Sequence, residues 1–200
     1  FAGPKEIAYI CHGEDVCLLD PDNPSAVTNL TDDGTTSYEK DPIWSPDGKK
    51  VAFVAEFQTS QEENIYTMEP EAPEQGFNLA TQVTHFTNGL VATGELAWSP
   101  DGSKIAFVRG GSGSGSNPVY VVNADGSSAN ATVISAASGG GGNPTWAPDS
   151  AKIAFWHGSQ IYTAPGDASS PATPLSGATC IEPAWSPDGS KIACNHEGKA

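Results

Sequence analysis

The chain has few basic residues. Lysine and arginine together number 9, against 24 aspartates and glutamates, so the formal net charge is −15. Proteins that bind nucleic acid contact phosphates through clustered lysine and arginine, so this balance argues against a nucleic-acid partner. No run of about 18 apolar residues occurs, and the sequence therefore predicts no membrane-spanning helix.

Several catalytic and metal-binding signatures are also missing. The sequence has no Gly-x-Ser-x-Gly nucleophile elbow and no Cys-x-x-Cys zinc pair. Its 4 histidines are spread along the chain and form no recognisable catalytic set. We therefore expect no catalytic residues and no enzymatic activity.

The 4 cysteines are informative. Cys11 and Cys17 flank a short polar stretch between two apolar runs, and Cys180 and Cys194 flank a second hairpin candidate. An even number at close spacing fits two disulfides, and among the possible pairings we favour Cys11–Cys17 and Cys180–Cys194. Reduced structural thiols are the alternative. Disulfides would place the protein outside the cytoplasm, in an extracellular or periplasmic compartment.

Two N-glycosylation sequons are compatible with secretion. They begin at Asn29, in Asn-Leu-Thr, and at Asn130, in Asn-Ala-Thr. Such sites would carry covalent glycans in a secreted glycoprotein. Sequons are common by chance, so each one alone is weak support.

An internal repeat is the strongest feature of the sequence. Its copies are WSPDGKKVAFV from Trp44, WSPDGSKIAFV from Trp98, WAPDSAKIAFW from Trp146 and WSPDGSKIACN from Trp185, with starts 54, 48 and 39 residues apart. Ser-Pro-Asp-Gly is typical of a tight turn, and the residues after it alternate in the manner of a strand. Each copy therefore predicts a β-hairpin, whose strands we call a and b.

Further short strands, c and d, are predicted downstream of most hairpins, and no helical periodicity appears. Four strands per repeat of about 40–50 residues are typical of the blades of a β-propeller. The sequence thus predicts an all-β fold built from four-stranded antiparallel sheets.

The W-S-P-D-G-x-K-I-A-F signature resembles the TolB-like β-propeller repeat, and the resemblance covers nearly the whole chain. The third copy departs from it, with Ala147 for serine and Ser150 for glycine. Proteins with this repeat include periplasmic partner-binding proteins, the propeller domains of prolyl oligopeptidase-type peptidases and many secreted proteins. The resemblance therefore implies a secreted propeller.

Counting the repeats predicts four blades in a single domain. Three would be complete, at about 43–89, 97–137 and 145–177, and the fourth would be a composite of 1–34 with 183–200. One detail does not fit, because residues 191–194 repeat a strand b that the N-terminal segment already has. A larger ring, or an array that assembles through its ends, is the open alternative.

An oxygen-bearing side chain stands three residues before each repeat tryptophan. These residues are Asp41, Glu95, Asn143 and Glu182. In a closed ring they would gather at the mouth of the axis, and hard oxygen ligands suit Ca²⁺. Alternatively, they bond the backbone of the turn that leads into strand a.

Three functions follow as expectations. The first is a structural or adhesive unit that assembles with copies of itself into filaments, because the ends look complementary. The second is a module that binds a protein partner or a cation through its acidic loops. The third is an accessory propeller domain of a larger secreted protein.

Overall fold

The computed structural model describes residues 5–32, 37–57, 62–70, 77–87, 90–91, 95–110, 117–128, 130–134, 141–175 and 179–196. These residues form β-strands and connecting turns, with one 3-10 turn at 77–79 and no α-helix. No helix in this part of the chain has the length and apolarity needed to cross a membrane.

The strands form antiparallel sheets that follow one another along the chain. The first contains β1 (Ile7–Cys11), β2 (Asp15–Asp20) and β3 (Asn23–Asn29). The second contains β4 (Ser37–Trp44), β5 (Val51–Phe57), β6 (Glu63–Met68) and β7 (Thr81–Gln82). The third contains β8 (Leu90–Val91), β9 (Ala97–Trp98), β10 (Lys104–Gly110), β11 (Val119–Asn123) and β12 (Thr132–Val133). The fourth contains β13 (Gly141–Trp146), β14 (Lys152–His157), β15 (Gln160–Pro165) and β16 (Thr173–Pro174), and the fifth contains β17 (Cys180–Trp185) and β18 (Ile192–His196).

Strand order confirms the predicted all-β propeller architecture. In the second and fourth sheets, strands a, b, c and d pair in chain order. In the third sheet β8 and β9 both pair with β10, on the side that strand a takes in its neighbours. Strand a begins at Ser37, Gly141 and Cys180, before the boundaries expected at about 43, 145 and 183.

The terminal strands differ from the expected composite blade of 1–34 with 183–200. In the described chain β1, β2 and β3 form one sheet as strands b, c and d, whereas β17 and β18 form another as strands a and b. The edge of β17 that β1 would need is already paired with β18. The duplicated strand b therefore keeps the two terminal sheets separate.

The core lies between successive sheets. The first and second sheets share one buried cluster, the second and third another, and the third and fourth another. The cluster between the fourth and fifth sheets is smaller. In each complete sheet a fully buried phenylalanine of strand b stacks on a tyrosine of strand c, in the pairs Phe53–Tyr66, Phe107–Tyr120 and Phe155–Tyr162.

The Ser-Pro-Asp-Gly turns are held by their own side chains. Ser186 Oγ donates to Asp188 Oδ1 at 2.6 Å, and the Ser190 N–H donates to the same oxygen at 3.0 Å. The serine bond, followed by the backbone bond, lowers the pKa of Asp188 to about 2. In the third copy Ala147 cannot make the serine bond, and Ser150 takes a φ of 61°, where the other copies have glycine.

Tryptophan side chains link consecutive sheets. Three repeat tryptophans donate from Nε1 to a backbone carbonyl of the preceding sheet: Trp98 to Ile43 at 3.4 Å, Trp146 to Ala97 at 3.0 Å and Trp185 to Thr145 at 3.2 Å. Each acceptor directly precedes the tryptophan of the preceding repeat. The Trp44 Nε1 is buried and has no partner among the described residues.

Because equivalent tryptophans differ in this hydrogen bond, replacing them should lower the free energy of unfolding by different amounts. Trp98 and Trp44 are both half-buried, so Trp98→Phe and Trp44→Phe remove similar apolar contact. Only Trp98→Phe breaks a hydrogen bond, and we expect it to lower the free energy of unfolding by about 1 kcal/mol more than Trp44→Phe does. Urea denaturation of both variants measures this difference. Equal losses in the free energy of unfolding would contradict the hydrogen bond from Trp98 to Ile43.

Candidate functional site

Three of the four positions that stand three residues before the repeat tryptophans share a backbone irregularity. Asp41, Asn143 and Glu182 have positive φ angles of 55°, 49° and 54°, and each stands before a proline at a shift in strand register. Proline cannot donate to the ladder, so pairing is interrupted there as a bulge. Glu95 precedes Leu96 and does not share the positive φ.

The side chains at these positions have different partners. Glu95 Oε2 accepts a hydrogen bond from the Asn143 N–H at 3.0 Å, which ties the third sheet to the fourth. Asn143 Oδ1 accepts from Trp156 Nε1 at 3.2 Å, and Glu182 accepts from Asn195 within the fifth sheet. Asp41 Oδ2 is buried and has no hydrogen-bond partner in the described chain. Three of the four residues are thus engaged in protein hydrogen bonds.

A calcium site at Asp41, Glu95, Asn143 and Glu182 stays a prediction. Within the described ranges, Cys11, His12 and Cys17 are the one set of three cysteine, histidine or acidic side chains whose ligand atoms lie within 4.8 Å of one another. Those two cysteines form a disulfide and offer no thiolate to a metal.

The disulfides join Cys11 to Cys17 and Cys180 to Cys194, the pairing that the spacing favours. Each cross-links neighbouring strands of a terminal sheet. The pair of disulfides fits an oxidising, extracytoplasmic compartment.

The two sequons lie in different surroundings. The Asn29 side chain donates to Asp15 Oδ2 at 2.7 Å and accepts from the Thr31 N–H at 3.1 Å. Asn130 is exposed. The Asn29 amide nitrogen is thus engaged with Asp15, whereas Asn130 is accessible, and glycosylation of either stays a prediction.

The apolar residue that follows strand d is exposed in the fourth sheet, although its equivalents in the other sheets are buried. In four sheets the N–H of this residue donates to strand c: Leu30 to Val16, Val83 to Ile65, Ile134 to Val119 and Leu175 to Ile161. Leu30, Val83 and Ile134 are 0%, 0% and 4% exposed, but Leu175 is 42% exposed. Strands b and c of the following sheet cover Val83 and Ile134, and in its described part the fifth sheet has no strand c.

The exposed Leu175 borders a groove of about 340 Å³ between the fourth and fifth sheets. Trp185 and Ile192 provide its other large apolar side chains. Lys152 and Lys191 line it as well, which makes this groove a basic spot in a chain of net charge −15. Its chemistry suits an apolar partner with acidic residues around it.

Sequence reasoning did not identify this groove. Leu175 follows its strand d at the same offset as Leu30, Val83 and Ile134, so its place in the repeat could be read from the sequence. Its exposure depends on the next sheet, which the repeat pattern alone does not describe.

A comparison with protein families gives one match: the TolB beta propeller domain, over residues 41–200. The chain belongs to this family. No curated protein matches it in sequence.

Solved structures agree with this TolB-type fold. TolB from Acinetobacter baumannii aligns with a TM-score of 0.65 and 22% identity, over 98% of this chain and 48% of that one. The putative TolB from Agrobacterium tumefaciens gives 0.63 and 22%, over 97% and 70%. An oligogalacturonate lyase in complex with manganese gives 0.73 and 14%, over 99% and 58%. The chain thus spans about half the length of the first of these structures.

The lyase corrects the expectation that the chain is not an enzyme. That expectation was wrong, because oligogalacturonate lyases are enzymes with the same TolB-type architecture. Catalytic side chains can be placed on the loops of a propeller without any motif that a sequence pattern reveals. At 14% identity the likeness shows the fold and assigns no activity or manganese site to this chain.

The half-buried carboxyl group of Glu95 should make the stability of the fold depend on pH. Burial raises the pKa of its carboxyl group, and the Asn143 N–H opposes that shift. A raised pKa in the folded state means that the folded state resists ionisation. The wild type should therefore lose stability relative to Glu95→Gln as pH rises through the ordinary value of 4.5. Urea denaturation of both proteins from pH 3 to 7 tests this prediction. If the wild type instead becomes more stable relative to Glu95→Gln as pH rises, the fold stabilises the Glu95 carboxylate and the prediction is wrong.

Proposed function

We propose that this TolB-family propeller is an extracytoplasmic structural or adhesive unit that binds a second copy of itself. The groove at Leu175 carries the proposal, because it exposes apolar surface that every equivalent position buries. Exposed apolar surface with a charged rim is typical of protein-binding sites.

The first sheet of a second copy has complementary chemistry. It exposes Ile7 by 51% and Val27 by 47%. Its strands and turns contain one lysine, Lys5, and the acidic residues Glu6, Glu14, Asp15, Asp20 and Asp22. These carboxylates would face Lys152 and Lys191 at the groove. The contact joins two different surfaces, so repeating it builds a chain of copies, as an adhesive fibre requires.

The proposed setting rests on the two disulfides, since cytoplasmic thiols are kept reduced. The accessible sequon at Asn130 is compatible with a secreted glycoprotein. A role as the accessory propeller of a larger secreted protein would use the same groove for a neighbouring segment, and the experiment below separates the two roles by oligomeric state.

We expect Leu175→Asp to weaken self-association by about tenfold or more, because it removes apolar contact and places a carboxylate opposite acidic residues. Sedimentation velocity over a concentration series measures the effect. Raising the salt concentration should weaken the wild-type association as well.

Leu79→Asp is the matched control. Leu79 is 43% exposed, close to the 42% of Leu175, and lies in the second sheet's 3-10 turn, away from the groove. This variant should associate like the wild type. A wild type that stays monomeric at every concentration, or equal effects of the two variants, would refute the proposed interface.

Cation binding is a second candidate function, favoured by the buried Asp41 Oδ2 that lacks a partner. For Glu95, Asn143 and Glu182 to join it as further oxygen ligands, their side chains would have to leave their present hydrogen bonds and move together. A buried carboxylate oxygen without a donor carries a desolvation cost that a bound Ca²⁺ would offset.

Calorimetric titration with CaCl₂ tests this second candidate. Binding to the folded state should raise its stability by about 2.7 kcal/mol at a concentration 100 times the Kd. Asp41→Asn should remove the heat, whereas Asp149→Asn, in the third repeat turn, should not. Absence of heat and of any change in melting temperature would eliminate the cation.

A further inference from the structure

The hairpin of β1 and β2 brings three metal-ligating side chains together. The ligand atoms of Cys11, His12 and Cys17 all lie within 4.8 Å of one another. Two ligands of one Zn²⁺ stand at most about 4.6 Å apart, because a Zn–S bond is about 2.3 Å long. The three side chains therefore have nearly the spacing of a zinc site before any of them moves.

The backbone of the hairpin keeps the two cysteines close independently of the bond between their sulfur atoms. Cys11 pairs with Asp15 in the β1–β2 ladder, and Tyr9 pairs with Cys17. In the turn, the Glu14 N–H donates to the Cys11 carbonyl at 3.2 Å. The two Cα atoms are 5.7 Å apart, and rotation of the side chains at this distance can bring two thiolates to the separation of about 3.8 Å that a tetrahedral zinc requires. Opening the disulfide breaks none of the backbone bonds, so both sulfur atoms stay in place for a common ligand.

His12 stands on the solvent side of the two cysteines. Its side chain is 76% exposed and can rotate toward the sulfur atoms, whereas Cys17 is fully buried. Asp15 Oδ2 lies 4.0 Å from His12 Nδ1, and Glu14 belongs to the same turn. Nearby carboxylates raise the attraction of a site for a cation, and a carboxylate beside a metal-bound imidazole fixes the orientation of the ring.

The disulfide controls whether this site can be occupied, because its sulfur atoms offer no thiolate. A dithiol reductant removes it by thiol–disulfide exchange. One thiolate of the reductant attacks Cys11 Sγ, since Cys11 is 8% exposed and Cys17 is 0% exposed, and Cys17 leaves as a thiolate. The second thiolate of the reductant then attacks the reductant's own sulfur in the mixed disulfide and releases Cys11. Two electrons and two protons pass to the cysteines, and the reductant becomes a cyclic disulfide.

We propose that Cys11, Cys17 and His12 form a zinc site that is available only while this disulfide is reduced. Two thiolates and one imidazole bind Zn²⁺, the two thiol protons pass to solvent, and a water molecule completes the tetrahedron. Sulfur and imidazole ligands select zinc over calcium, so the site differs in chemistry from the oxygen ligands considered at Asp41. It does not depend on self-association.

Protection from alkylation tests the site in the whole chain. The protein is reduced with a phosphine, because a dithiol would itself bind zinc, and is then treated with iodoacetamide in the presence of ZnCl₂ or EDTA. We expect zinc to slow the alkylation of Cys11 and Cys17 by about tenfold or more, because a metal-bound thiolate is no longer a free nucleophile. Mass spectrometry measures the rate at each cysteine. Equal rates at Cys11 and Cys17 with zinc and with EDTA would overturn the proposal.

Two exposed histidines provide a matched test of the imidazole ligand. His12→Ala should raise the zinc concentration that gives half-protection of Cys11 and Cys17 by about tenfold or more, because the site loses a ligand. His85→Ala, in the second sheet, should leave this concentration unchanged. Equal effects of the two variants would overturn the assignment of His12. Circular dichroism of the reduced proteins verifies that both variants keep the strands of the wild type.

Zinc binding and reduction must also favour each other, because zinc binds the dithiol and not the disulfide. A free zinc concentration 100 times the Kd should raise the equilibrium constant for reduction of Cys11–Cys17 about 100-fold, which corresponds to about 59 mV in reduction potential. Equilibration in glutathione redox buffers at fixed free zinc, followed by acid quenching and mass spectrometry, measures this constant. A constant that does not change with zinc would mean that the metal binds elsewhere and would refute the proposed site.

Discussion

A single sheet of three or four short strands cannot bury its own apolar faces, and the packing of this molecule depends on that constraint. Each sheet covers one face with the next sheet along the chain, through buried clusters between neighbours. The tryptophan that ends strand a adds a hydrogen bond from its indole to the sheet before it. The groove at Leu175 lies where the described part of the fifth sheet has no strand c.

Membership in the TolB propeller family describes the scaffold and leaves the activity to particular side chains. The same architecture occurs in TolB proteins and in oligogalacturonate lyases. Two features of this chain depart from its own repeat. The groove at Leu175 exposes apolar area, whereas the Trp44 indole N–H is buried without a partner among the described residues. The exposed apolar area suits a complementary surface.

Much of the fold was predictable because the repeat is local. Ser-Pro-Asp-Gly specifies a turn through bonds within a few residues, as at Ser186 and Asp188, and the alternation after it specifies a strand. The outcome at Asp41, Glu95, Asn143 and Glu182 was less predictable. Sequence spacing placed them at equivalent positions, but their partners depend on strand b, where Trp156 and Asn195 offer donors and Val54 and Val108 do not.

By itself, the sequence determined the β-hairpins and their order and favoured the cysteine pairing that the structure has, since these follow from contacts between residues close in the chain. Tertiary structure decided that β1–β3 and β17–β18 stay in separate sheets, because one edge of a strand can pair with only one neighbour. It also decided that Leu175 is exposed and that the Trp44 indole lacks an acceptor among the residues that the structure describes. Both depend on what the adjacent sheet contains, and the sequence of a single repeat carries no information about that.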